Sequence, residues 1–173
     1  NKTKLNCKVC QLVKLYKNGE PYKMSKRAGD FISAQDLINE VDKDAIRFMM
    51  LNRSNDVELD FDFDKVKEKT KDNPVFYVQY AYARINSILR SLDTNLTDKI
   101  LVNKGDFNLN KFEEKIIRKI FEWPKIIESA SRKFDLHKIP FYLYELSTLF
   151  HAYWSKGNEA VSYTHLRAHE TRH

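Results

Sequence analysis

Lys23, Met24, Ser25, Lys26, Arg27 and Gly29 stand together in the stretch PYKMSKRAGDF, residues 21–31. Cations so closely spaced can meet phosphate oxygens whose negative charge grows during a displacement at phosphorus. Stabilisation of that kind needs cations only where the charge develops. Lysine supplies a compact point charge on a flexible stem, and arginine a planar fork of donors. Ser25 is small and can donate a hydrogen bond, and Gly29 lets the backbone turn or come close to a ligand. The same residues would equally suit a solvated basic turn, so chemistry alone leaves both readings open. The four glycines fall at positions 19, 29, 105 and 157. That placement excludes both the G-x-x-x-x-G-K-[ST] and the G-x-G-x-x-G phosphate motifs.

The elements that must position this stretch can be read on either side of it. Before it, VCQLVKLYKNGEPYKM has the form of a hairpin, with Val9, Val13 and Leu15 alternating and Asn18-Gly19 as the tight turn. After it, Ser33 and Asp36 form a capping box that opens a helix through Leu37, Ile38 and Val41. Asp42 is placed to cap the next helix, KDAIRFMMLNR. ELDFDFD is a short extended acidic piece, and KVKEKTK is expected to be helical. Asn73 is an N-cap with Pro74 in the first turn. It starts a helix whose apolar face carries Val78, Ala81, Tyr82, Ile85, Ile88, Leu89 and Leu92. Residues 93–109 form a linker. Asn110 and Glu113 cap another helix, which Pro124 interrupts. A last helix spans about 138–155. The back half is therefore an α-helical bundle.

Composition narrows the function classes. The formal charge is +6, and the excess is front-loaded: Lys2, Lys4, Lys8, Lys14, Lys17, Lys23, Lys26 and Arg27 face only Glu20. A local cationic field favours a polyanion or nucleotide partner, though a solvated face reads the same way. Cys7 and Cys10 are spaced C-x-x-C without a second pair, so neither a four-ligand zinc site nor a thioredoxin motif is expected. No metal site is expected at the acidic piece, which lacks calcium-loop spacing. His137 and His151 lie in the helical half and read as packing or surface residues. There is no signal peptide and no apolar run long enough for a bilayer, which points to the cytoplasm. The end of the chain changes character. VSYTHLRAHET, residues 161–171, resembles the translated form of a sequencing adapter. Residues 160–173 are accordingly expected to be an artefactual tail, and the basic balance survives without them.

KMSKR resembles the Lys-Met-Ser-Lys-Ser signature loop of class I aminoacyl-tRNA synthetases. The run from Gln11 to Arg90 is similar, nearly without a gap, to bacterial arginyl-tRNA synthetases, and FYLYELSTLFHAYWSKGNE, residues 141–159, is similar to a later segment of them. The resemblance covers residues 7–159. It implies a mainly α fold: a small β-hairpin remnant of a Rossmann-type nucleotide-binding catalytic domain, followed by an α-helical anticodon-binding bundle. The implied segments are 1–32, the end of the catalytic domain with the signature loop; 33–72, stem-contact helices; and 73–159, a truncated anticodon-binding domain. Lys26 and Lys23 take the catalytic positions, and Met24, Ser25, Lys26, Arg27 and Gly29 the ATP-binding ones. Arg27 replaces the final serine of the general pattern, and Asp30 stands where an asparagine is expected.

The parent activity implied is arginine–tRNA ligation. Arginine and ATP, taken up with Mg2+, give arginyl-adenylate, which is then transferred to tRNA(Arg). No tightly bound cofactor, no membrane partner and a monomeric parent are implied. The family's His-Ile-Gly-His motif, arginine pocket and last bundle helices have no counterpart in these residues, so the chain alone is expected to be inactive. Anticodon bases stack on aromatic rings and pair with arginine or amide groups, which makes Tyr77, Gln79, Tyr80 and Arg84 candidate tRNA contacts. Tyr82, at the family's usual histidine position, is expected to pack. All these tyrosines could instead belong to a core. The alternative function is a stand-alone basic helical RNA-binding module without catalysis; a helical protein-interaction domain is a third.

Overall fold

The computed structural model describes residues 5–22, 32–91 and 109–157. Lys23, Met24, Ser25, Lys26, Arg27, Gly29 and Asp30, the expected helix residue Leu92, residues 93–108 of the expected linker and the expected tail lie outside the described residues.

Strand β1 (Val13–Lys17) and strand β2 (Glu20–Pro21) form the expected hairpin, antiparallel with Tyr16 opposite Pro21 and Lys17 opposite Glu20. Asn18 and Gly19 both have positive φ, 54° and 77°, as a two-residue turn of this hand requires. The strand begins later than the alternation predicts. Residues 5–12 precede it outside the strand and are fixed to the loop before β3 by Gln11 N–H donating to Asn55 O at 2.8 Å and Asn55 Nδ2 donating to Val9 O at 2.9 Å. Cys7 and Cys10 lie on that segment, exposed and unlinked.

Helix α1 (Ala34–Glu40) starts at Ser33 with a complete capping box, and helix α2 (Lys43–Leu51) starts at Asp42, whose carboxylate accepts from Asp44 N–H. The acidic piece then becomes strand β3 (Leu59–Asp62), which lies parallel to β1 in the register Val13–Leu59 to Tyr16–Asp62. Sheet order is β2-β1-β3. A parallel neighbour needs a crossover, and α1 and α2 supply it. The period of two sorts the residues of this piece. Leu59, Phe61 and Phe63 turn inward, with both phenyl rings fully buried and meeting edge to face at 5.6 Å. Asp60 is left outside, and Asp62 caps helix α3 (Phe63–Lys67). These rings centre a core with Leu37, Val41, Ala45, Ile46, Val66 and Val75.

The polar helix expected over KVKEKTK is cut short. Glu68 is already extended, with ψ 134°, and Asn73 Nδ2 donates to Val66 O at 2.8 Å and Glu68 O at 2.7 Å. The asparagine thus closes the end of α3. Its own Oδ1 accepts from Val75 N–H at 3.1 Å and so opens helix α4 (Pro74–Ser91). Helix α5 (Lys111–Phe121) carries the Asn110–Glu113 capping box. Pro124 ends that run as expected, sitting in the first turn of helix α6 (Trp123–Lys133). Helix α7 (Lys138–Gly157) packs against α4, α5 and α6. Lys119 joins the bundle where Tyr142 Oη donates to its carbonyl at 3.0 Å, while its ammonium reaches Glu122 at 2.8 Å and Glu145 at 2.5 Å.

The hairpin base is held by charge. Glu40 bridges Lys17 at 2.9 Å and Lys67 at 3.3 Å, and the Asp64 carboxylate accepts from Asn18 N–H at 2.7 Å. These exposed pairs orient the turn more than they stabilise it. Stability rests on the phenyl core: Phe61→Ala should cost about 3–5 kcal/mol, read as a lowered urea midpoint for loss of the sheet module. A midpoint unchanged from wild type would show that β3 does not organise this module.

Candidate nucleic-acid interface

Helix α4 carries the candidate RNA residues, and α7 decides which of them can form a unit. With 3.6 residues per turn, Tyr77, Tyr80 and Arg84 share one face, whereas Gln79 stands about 200° round the helix from Tyr77. Arg84 lies over the Tyr80 ring with Cζ 4.1 Å from its centroid, and its Nη2 donates to Tyr80 Oη at 2.7 Å. Tyr80 stacks on Phe76 at 5.6 Å with 10° between the ring planes, and is 41% exposed. Guanidinium and phenol are the kinds of group with which proteins stack and hydrogen-bond unpaired bases. Gln79 is exposed but outside this unit. Tyr77 is half-buried, with its ring 5.2 Å from Tyr144 and 4.4 Å from His151.

His151 is the residue that the sequence does not single out. It comes from α7, is 8% exposed, and touches three of the α4 residues. Its Nε2 is 3.1 Å from Tyr77 O, its Nδ1 is 3.4 Å from Arg84 Nη1, and its ring stacks on Tyr80 at 5.6 Å. A carbonyl only accepts and a guanidinium only donates, so the arrangement is that of an imidazole with its proton on Nε2. Trp154, one turn further along α7, lies 5.5 Å from Arg84 Cζ. The arginine is thus held from three sides and its orientation is fixed before any ligand arrives. The aromatic richness of FYLYELSTLFHAYW was the available signal. It does not reveal which ring meets which residue of α4.

Tyr82 corrects the sequence reading. Expected to pack, it is 71% exposed, and Ile85 and Leu89 beside it are also exposed. α7 seats on the side of α4 marked by Tyr77, Ala81 and Arg84, where the aromatic–histidine contacts lie, and leaves the centre of the apolar stripe uncovered.

Among the described residues no cluster of His, Cys, Asp and Glu suits a metal ion. No described helix is long and apolar enough to cross a membrane.

Comparison with known proteins places this geometry. The family model described as the DALR anticodon binding domain matches residues 78–170, from α4 through α7 and into the stretch set aside as a tail. The chain therefore belongs to the DALR anticodon-binding domain family. Its curated relatives include the arginine–tRNA ligase of Pelagibacter ubique, 59% identical over 94% of this chain, and that of Ruegeria pomeroyi, 51% identical over 90%. The chain spans only 28% and 27% of those two proteins' lengths. A solved structure from Campylobacter jejuni, assigned as an arginyl-tRNA synthetase, superposes over 85% of this chain and 32% of its own, with a TM-score of 0.74 and 32% identity. The Thermus thermophilus arginyl-tRNA synthetase shares the fold at a TM-score of 0.58 and 22% identity, over 83% of this chain and 26% of its own. The resemblance to bacterial arginyl-tRNA synthetases and the mainly helical fold class are both borne out.

If His151 organises the face, His151→Phe should lower stability by about 1–2 kcal/mol through two lost polar contacts. Urea unfolding measures this, and an unchanged midpoint would mean that the imidazole is not holding Tyr77 and Arg84.

Proposed function

We propose that this chain is the part of an arginine–tRNA ligase that runs from the signature loop into the anticodon-binding bundle. The observation that carries the reading is 59% identity to an arginine–tRNA ligase over 162 residues, in a chain that also contains KMSKR at positions 23–27. The parent reaction joins the arginine carboxylate to the α-phosphorus of ATP and expels pyrophosphate. The ribose hydroxyl at the tRNA end then attacks the carbonyl of the arginyl-adenylate and releases AMP. Magnesium enters with ATP as part of the substrate.

In this reading Lys26 and Lys23 meet the charge that develops on the leaving pyrophosphate. Met24, Ser25, Arg27 and Gly29 shape the loop around ATP. Segment 1–32 closes the catalytic domain, 33–72 contacts the tRNA stem, and 73–159 reads the anticodon. There Tyr80 and Arg84 form the base-stacking unit, backed by Tyr77, and Gln79 serves a neighbouring position. The reaction belongs to the cytoplasm, and the parent acts as a monomer.

The test is arginine-dependent ATP–pyrophosphate exchange by the complete ligase carrying this segment, with tRNA(Arg) present. Lys26→Ala should slow exchange by about 100-fold or more while arginine affinity stays near wild type. The 173-residue chain alone should support none. Unchanged exchange in Lys26→Ala would remove the pyrophosphate role, and exchange by the isolated chain would overturn its assignment as the partial enzyme.

A further inference from the structure

The sheet module (described residues 5–22 and 32–72) and the helical bundle (73–91 and 109–157) pack through α2 against α4 and α7, and polar contacts join them in two places. The covalent joint lies at Asn73, whose side chain holds the end of α3 to the start of α4. The other lies far away in sequence. Lys8 Nζ donates to Lys133 O at 3.0 Å, to Phe134 O at 2.9 Å and to Asp135 Oδ1 at 2.9 Å. Among the described residues, Lys8–Asp135 is the only salt bridge that crosses between module and bundle.

The chemistry of the acceptor explains why a lysine fits. The last carbonyls of a helix have no intrahelical partner and carry the negative end of the helix dipole. α6 ends at Phe134 in the left-handed conformation, φ 56° and ψ 31°, so its final carbonyls turn outward. Three ammonium hydrogens match two carbonyls and a carboxylate. Caps of this kind normally come from the helix's own neighbourhood; here the cap comes from the other module. It holds the Asp135 carboxyl below its usual range.

Beside the lysine is a cleft of about 290 Å³, walled by Met50, Leu51, Val57 and Leu59 on one side and by Phe134 and Leu136 on the other. α2 touches α4 and α7 deeper in. The arrangement is a clamshell with a joint at Asn73, an incompletely filled mouth, and Lys8 fastened across the mouth. On the sheet-module side, the exposed Arg47 and Arg53 have no salt-bridge partner among the described residues, leaving their charge available to a polyanion.

We propose that Lys8 is a positioning residue: a latch that fixes the angle between sheet module and bundle so that one tRNA is held by both at once. The inference rests on the tRNA-binding reading above. Its physical basis is effective concentration. Two linked surfaces gain affinity only when their relative placement suits the ligand, and loss of preorganisation costs that gain. Lys8 does not touch the Tyr80–Arg84 face, so an RNA that meets only the bundle has no use for the latch.

Two RNA probes separate these roles: an unmodified tRNA(Arg) transcript and its anticodon stem–loop alone, each titrated against the 173-residue chain. Lys8→Met should weaken binding of the whole transcript about tenfold and that of the stem–loop by less than about twofold, and Lys8→Arg should restore the former. An equal loss for both probes would make Lys8 merely structural, and no loss for either would remove the latch. The salt dependence for the whole transcript should keep its slope; a slope shallower by about one would make Lys8 a phosphate contact and overturn the proposal. Hydrogen exchange judges the latch without RNA. In Lys8→Met, the amides of residues 133–138 and 50–55 should exchange faster while those of β3 do not. Unchanged exchange overturns the latch, whereas failure of wild type to bind either probe overturns the tRNA reading.

Discussion

The parallel pairing of β1 with β3 is the constraint on which the rest of the structure depends. Its four-residue register sets Val13 beside Leu59 and Tyr16 beside Asp62. That register turns Phe61 and Phe63 inward together, giving α1 and α2 a surface to pack on. It also fixes what leaves the sheet at each end. The chain before β1 carries Lys8 to the bundle. The chain after it makes the hairpin that leads to KMSKR. After β3, the Asp62 cap starts α3, and Asn73 passes the direction on to α4. A one-residue slip would reverse the faces and expose both phenyl rings.

The bundle has a different logic. Few of its side chains are buried, and three of those are Ser147, His151 and Tyr142. Specific polar contacts therefore set its register: Tyr142 to the Lys119 carbonyl, His151 to Tyr77, and Tyr153 Oη to Glu113 at 3.2 Å. Buried polar groups must be partnered, and partnering them admits few alternative packings. The same contacts orient Arg84. A surface that binds flexible RNA bases benefits from an arginine whose freedom is already spent, because less entropy is lost on binding.

The legible parts of the fold were local. Ser33, Asp42, Asn73 and Asn110 all cap helices as their positions indicate, because a cap depends on residues within one turn. Asn18-Gly19 turns as read for the same reason. The pairing of ELDFDFD with VKLYK was not legible: its acids mask an inward period of two, and the partner lies across two helices. Tyr82 was misread because an apolar stripe says that a face suits burial, not which neighbour arrives. At the candidate site, Tyr80 and Arg84 were named for their aromatic and basic type, and their contact with each other is what the structure adds. His151 was not, because its role exists only through contacts with a helix some seventy residues away. Lys8 was read only as part of a charge excess, since its acceptors are backbone carbonyls with no signature of their own. The roles assigned to Lys23 through Gly29 rest on the motif itself.

On the proposed reading, this chain carries the surface that selects tRNA by its anticodon. The direct measurement is a titration of the 173-residue chain with tRNA(Arg) transcript and with the same transcript bearing a substituted anticodon, across a salt series. The account predicts that both affinities fall with salt, as phosphate contacts require. It also predicts that the substituted transcript binds about tenfold more weakly throughout, the worth of one or two stacked bases. Equal affinity for both transcripts at every salt concentration would contradict it.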